Sequence, residues 1–131
     1  MPVIYLDSSA IVKLVVREPE SDALRRYLRG RRPLVSSGLA RTEVMRAVLD
    51  KGDAARKAGQ RVLAGLDLVR VDNRILDMAG RLLPFELRSL DAIHLATAQR
   101  FAGELSKLCT YDVRMAEAAE DLGVAVVAPA G

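Results

Sequence analysis

A single α/β domain built on a mostly parallel sheet is what this sequence predicts, on three observations. Short apolar runs alternate with helical stretches along the chain. Runs such as Val3-Ile4-Tyr5-Leu6 and Val124-Ala125-Val126-Val127 have no polar residue on alternate positions, which marks strands covered on both faces. The length, 131 residues, suits one domain, and no repeat, low-complexity tract or long linker divides it, so residues 1–131 are read as one unit.

The elements follow in order. Val3 to Leu6 reads as the first strand. A helix over about Ser9 to Val16 stops at Arg17-Glu18-Pro19, because proline cannot continue it. Ser21 to Leu28 is a short second helix closed by Gly30, and Leu34 to Ser37 a second strand. Helices over Ala40 to Asp50 and Asp53 to Gly65 are parted by Lys51-Gly52. Leu68 to Val71 is a third strand, and Asn73 to Leu83 a helix ending at Pro84. Leu90 to Ala102 is a helix closed by Gly103, Lys107 to Thr110 a fourth strand, Val113 to Leu122 a helix closed by Gly123, and Val124 to Val127 a last strand.

Half the residues are apolar but few are aromatic, so the core must come from Leu, Val, Ala and Ile. Tyr5, Tyr27, Tyr111, Phe85 and Phe101 are expected to pack rather than recognise. The lone cysteine, Cys109, allows no internal disulfide and reads as a buried strand residue. The N-terminus lacks the basic start of a signal peptide, and no apolar run reaches the roughly 18 residues of a membrane span. A soluble, cytoplasmic protein with no membrane partner is expected. Of the 20 basic residues 16 are arginine, whose planar fork suits phosphate. Arg25, Arg26, Arg29, Arg31 and Arg32 fall together without an acid between them. They read either as a solvated face or as a patch for phosphate or an acidic partner.

Ligands of open parallel sheets bind beyond the carboxyl ends of the strands. Two acids stand there: Asp7 after the first strand and Asp112 after the fourth. Each can instead cap the helix it precedes. Asp91 lies in the first turn of a helix apolar on most of its circumference, on the same face as His94. Glu43 has Leu39, Ala40 and Ala47 as helical neighbours, with Arg46 or Lys51 as its alternative surface partners. Four converging acids would repel and desolvate one another strongly. A hard divalent cation resolves that, whereas one Cys and one His cannot form a zinc-type site.

The stretches YLDSSA (5–10), TEVMRA around Glu43, SLDAIHLATA (89–98) and TYDVRMAEAAEDLGVAVVAP (110–129) resemble, in order and spacing, the PIN-domain family, and specifically VapC-type ribonuclease toxins of toxin–antitoxin pairs. Together they span nearly the whole chain; the second and third quarters, between them, match in pattern alone. The resemblance implies a five-stranded parallel sheet in the order 3-2-1-4-5, with the first and fourth strands side by side. It implies an acidic cluster of Asp7, Glu43, Asp91 and Asp112. Asp7 and Asp91 are the foremost Mg²⁺ (or Mn²⁺) ligands; Glu43 and Asp112 ligate directly, through water or to a second ion. Ser8 or Ser9, with Ser9 preferred, is expected to orient Asp7 or a bound water, Thr110 to do the same beside Asp112, and His94 to support or merely pack.

The implied activity is metal-dependent hydrolysis of RNA phosphodiesters, leaving 5′-phosphate and 3′-hydroxyl ends, with single-stranded loops favoured. Arg25, Arg26, Arg29, Arg31, Arg32, Arg46, Arg88 and Arg114 are expected to hold the RNA backbone. A cognate antitoxin is implied, inserting a helix or tail near the acids along Ser21–Leu28 and Leu14, Val15 and Val16; a homodimer is implied too. Two other classes compete. A phosphoacceptor receiver domain needs a pocket lysine after a late strand, and Lys107 stands at the wrong end of one. A catalytically inactive PIN module would bind RNA or protein without cutting.

Overall fold

The computed structural model describes residues 2–131. Among these, five strands form one parallel sheet: β1 (Val3–Leu6), β2 (Leu34–Ser37), β3 (Asp67–Val69), β4 (Leu105–Cys109) and β5 (Val126–Val127). Their order is β3-β2-β1-β4-β5, as the resemblance implies. The helices are α1 (Ser8–Val15), α2 (Ser21–Leu28), α3 (Ala40–Ala47), α4 (Asp53–Ala64), α5 (Asn73–Ala79), α6 (Ser89–Gln99) and α7 (Val113–Asp121), with a 3₁₀ turn at Ala102–Glu104. No helix among the described residues is long and apolar enough to cross a membrane.

Alternation along β1 divides the core in two. Ile4 and Leu6 join Ile11, Leu24, Leu28, Val44 and Leu63 from α1 to α4. Val3 and Tyr5 join Leu95, Ala98, Met115 and Ala118 from α6 and α7. Every residue of β1 is buried, which is why the run reads apolar throughout. Helices α1–α4 connect β1, β2 and β3 outward in one direction, and the chain then returns to place β4 on the other side of β1. The carboxyl ends of β1 and β4 therefore flank the switch of strand order.

Element ends depart from expectation where local polar groups decide them. The first helix begins at Ser8, not Ser9, because Asp7 itself is the cap. Helix α3 stops at Ala47 rather than Asp50, and α5 at Ala79 rather than Leu83, where Gly80 takes the cap. Helix α6 runs from Ser89 to Gln99, shifted from 90–102. Strand β3 begins at Asp67, β4 already at Leu105, and β5 only at Val126. Lys107 is thus inside β4, paired with Ile4 in the strands' amino half. Cys109 is buried, and burial pushes its thiol up to about 12. Phe85 departs from its packing role: it is 92% exposed in the α5–α6 connection.

Candidate acidic site at the carboxyl edge

Asp7 leaves β1 while the sheet is still paired, its N–H donating to the Cys109 carbonyl at 3.2 Å. Its side chain is 3% exposed and fully engaged. Oδ1 accepts from the Ser9 hydroxyl at 2.6 Å and the Ala10 N–H at 3.0 Å; Oδ2 accepts from the Thr110 hydroxyl. The cap reading and the site reading of Asp7 are therefore compatible, since capping α1 fixes the carboxylate at the end of β1. Burial raises its pKa, and the hydrogen bonds from Ser9, Thr110 and Ala10 offset only part of that rise.

The same hydroxyls tie in the strand opposite. Thr110 Oγ1 accepts the Asp112 N–H at 3.1 Å, and Ser9 Oγ accepts the Tyr111 N–H at 3.0 Å. Thr110 thus acts on Asp7 through its side chain and on Asp112 through the backbone. Asp112 caps α7, its Oδ1 accepting from the N–H groups of Arg114 and Met115 at 2.9 and 3.2 Å. One of its oxygens is committed to the helix.

Asp91 has no such support. Its half-buried carboxylate has no hydrogen-bond or ion-pair partner among the described residues. Burial raises its pKa first, then the negative charges of Asp112 and Asp7; His94 and Arg88 oppose weakly. The three aspartates therefore share one electrostatic field although they come from β1, α6 and the β4–α7 junction.

Glu43 joins them through a different network. Its Oε1 accepts from the Ser8 hydroxyl at 2.6 Å and stands 2.7 Å from His94 Nε2. Neither Arg46 nor Lys51 pairs with it. Burial pushes its pKa up, but the hydrogen bonds from His94 and Ser8 and the coupling to His94 outweigh that, and the net shift is down. His94, 1% exposed, places its other ring nitrogen 2.7 Å from the Tyr5 hydroxyl. The shared face of Asp91 and His94 does not bring them into contact: the ring serves Glu43. Ser8, the alternative to Ser9 as a partner of Asp7, instead serves Glu43, and Tyr5, expected only to pack, also reaches His94 through its hydroxyl; the signal available was a hydroxyl inside an otherwise aliphatic central strand.

These donors fit a hard cation held by a few oxygens and several waters. The set is all carboxylate, and Asp91 is a half-buried anion without a counter-charge. Among the described residues no group of three or more His, Cys, Asp or Glu side chains is placed to hold a metal ion by itself.

The arginines separate into two groups. Arg88 opens α6 and acts electrostatically on Asp91, and Arg114 lies in the first turn of α7 beside Pro84, Leu87 and Glu117. Arg46 is exposed in the last turn of α3. Arg25 and Arg29, by contrast, line a groove with Leu14, Leu28, Arg32 and Leu34, at the amino end of β2. Arg31 and Arg32 border Pro2, Ile4 and Ser106 at the same edge. Arg25 and Arg29 were expected to hold the RNA backbone outside the acidic pocket; α2 and its loop lead into the start of β2, and so carry them, with Arg31 and Arg32, to the edge of the sheet opposite the acids. Arg26 is exposed in the last turn of α2.

A parallel sheet with carboxylates at its switch point places the chain among the open α/β proteins whose ligands bind beyond the carboxyl ends of the strands. The PIN domain family matches residues 4–121. The chain is 74% identical over 129 residues to ribonuclease VapC46 of Mycobacterium tuberculosis, covering 98% of this chain and 99% of the relative. It is 47% identical over 131 residues to ribonuclease VapC35 of the same species, covering 96% of each. Two solved structures share the fold. VapC20 of M. tuberculosis, described as a sarcin–ricin loop cleaving toxin, has a TM-score of 0.75 at 18% identity, over 96% of this chain and 99% of that one. A toxin–antitoxin complex from Klebsiella pneumoniae gives 0.74 at 22%, over 96% and 97%. The chain belongs to the PIN-domain family and, within it, to the VapC-type ribonuclease toxins.

Proposed function

We propose that Asp7, Glu43, Asp91 and Asp112 are the catalytic centre of this ribonuclease, and that they hold Mg²⁺, with Mn²⁺ able to substitute. The observation that carries the reading is Asp91: a half-buried carboxylate with no donor, its pKa raised by burial and by Asp112 and Asp7. Such an arrangement costs stability, and a cation ligand is its physical use. Bound there, a divalent cation supplies Lewis acidity, lowering the pKa of a coordinated water and screening phosphate charge.

The residues divide the remaining work. Ser9, Thr110 and the Ala10 N–H fix Asp7, so it meets a cation without reorganising. Asp91 offers both oxygens. Glu43 and Asp112 each keep one oxygen outside their hydrogen bonds, and either accepts the proton of the attacking water. Hydrolysis by water leaves 5′-phosphate and 3′-hydroxyl ends without using the RNA 2′-hydroxyl. Arg88, Arg114 and Arg46 hold the phosphate backbone on the acidic side. The cytoplasm is where RNA and such a toxin meet, and the whole chain acts as one domain. A cognate antitoxin partner is supported by the toxin–antitoxin complex that shares the fold. A homodimer is supported by large apolar side chains left exposed, among them Leu83, Phe85 and Val113.

The test is cleavage of a mixed RNA pool by antitoxin-free protein with Mg²⁺, with Mn²⁺ and with EDTA. Asp7→Asn and Asp91→Asn are each expected to lower the metal-dependent rate by roughly 10²–10³-fold, the scale of several kcal/mol of charge stabilisation. Metal-independent cleavage, or full activity in both variants, would overturn the assignment. No cleavage by folded wild type with either metal would make the chain a binding module.

A further inference from the structure

We propose that Tyr5 is a positioning residue of the acidic site, acting through His94 on Glu43. The proposal rests on the reading of Glu43 as a cation ligand and adds to it the group that holds Glu43 in place. Tyr5 lies in the middle of the central strand and is 0% exposed. A phenylalanine would fill nearly the same volume, so the hydroxyl needs its own reason.

The contacts supply one. The Tyr5 hydroxyl stands 2.7 Å from His94 Nδ1, and the rings meet edge-on with centroids 5.9 Å apart. A carboxylate oxygen can only accept, so the His94 Nε2 that stands 2.7 Å from Glu43 Oε1 carries the hydrogen of that contact. In the neutral ring Nδ1 is then bare, and the Tyr5 O–H is the group placed to donate to it. Ser8 also donates to Glu43 Oε1, at 2.6 Å.

The consequence is directional. One Glu43 oxygen takes two donors and is pinned; the other has none among the described residues. Without the Tyr5 hydroxyl, Nδ1 is left a buried acceptor with no donor, and the ring loses the contact that holds Nε2–H against Glu43. Outer contacts of this kind change metal affinity by about 10–100-fold when removed. Tyr5 thus couples the centre of the sheet to the acidic cleft through three residues from β1, α6 and α3.

His94 is the sole histidine of the chain, so its ring is readable without assignment. Long-range ¹H–¹⁵N spectra of the metal-free protein at pH 8 should show Nε2 protonated and Nδ1 bare. Tyr5→Phe should shift the Nδ1 resonance, which loses its donor, and weaken Mn²⁺ binding about tenfold, measured by calorimetry with the metal alone. In a His94→Leu background the same Tyr5→Phe change should cost nothing further, because the route is already cut. A wild-type ring protonated at Nδ1 overturns the proposal. So does unchanged Mn²⁺ affinity in Tyr5→Phe, or an equal loss in both backgrounds, the mark of a general packing effect. Failure of the wild type to bind Mn²⁺ would instead remove the cation reading, while the ring spectrum still judges the Tyr5–His94 geometry.

Discussion

Asp91 sits in the first turn of α6 with neighbours of its own sign and no donor for its oxygens. Its raised pKa has a definite consequence for stability. Below the ordinary carboxylate range both the folded and unfolded chains hold the proton, and nothing is lost. Between the ordinary Asp value of 3.8 and the raised folded value, the folded chain holds the proton more tightly than the unfolded one. Stability then falls as pH rises through that window, and the loss is complete above it. Asp7 contributes in the same direction, because burial raises it too. We expect Asp91→Asn to be more stable than wild type at pH 8 in EDTA, by up to about 1 kcal/mol after screening of a half-exposed group, with the difference vanishing towards pH 4. Thermal melts across that range measure it; a variant less stable at pH 8 would show that Asp91 is supported in a way its contacts do not reveal. At this scale the acids were legible in the sequence, because charge beside apolar residues is conspicuous. The groups that hold them were less so. Ser9 and Thr110 could be named as neighbours of Asp7 and Asp112, but that Thr110 serves both depends on β1 and β4 being adjacent. Tyr5 was invisible, since a tyrosine among aliphatic residues reads as packing until its hydroxyl has an address.

Two of the acids belong as much to helices as to the site. Asp7 caps α1 and Asp112 caps α7, each with one oxygen. The helix N-terminus favours a negative charge there, so the fold supports carboxylates that the site needs. For Asp112 the two roles separate cleanly, because an asparagine keeps the capping oxygen and loses the charge. Asp112→Asn should retain wild-type stability to within a few tenths of a kcal/mol, while Asp112→Ala should lose about 1 kcal/mol. Both should lose metal-dependent cleavage. Urea unfolding beside the RNA assay measures the split; equal stability in the two variants would mean that the cap carries nothing. Elements themselves were legible because apolar runs and punctuating Gly and Pro mark them. Their ends were not, since Asp7 begins α1 one residue early and Gly80 ends α5 before Pro84 is reached. Those choices are made by single side-chain and backbone hydrogen bonds, which periodicity does not register.

Over the whole molecule the charges are arranged by strand direction. Acids collect at the carboxyl edge, flanked by Arg88 and Arg114, while Arg25, Arg29, Arg31 and Arg32 collect around the amino ends of β1 and β2. The density of arginine in residues 25–32 was plain in the sequence, but its distance from the acids follows from where the loop enters β2, a matter of topology. A short RNA lying across the acids meets only the first group. Its binding should therefore weaken with salt through Arg88 and Arg114, each phosphate contact contributing about 0.7 to the slope of log affinity against log salt for a single strand. Measured by fluorescence anisotropy with a single-stranded oligonucleotide in the Asp91→Asn background, which binds without cutting, Arg88→Gln with Arg114→Gln should lower the slope by about 1.4. Arg31→Gln with Arg32→Gln should leave it unchanged. If the second pair flattens the slope as much as the first, even a short RNA reaches around the sheet, and the path of the substrate over this surface is longer than the acidic edge alone requires.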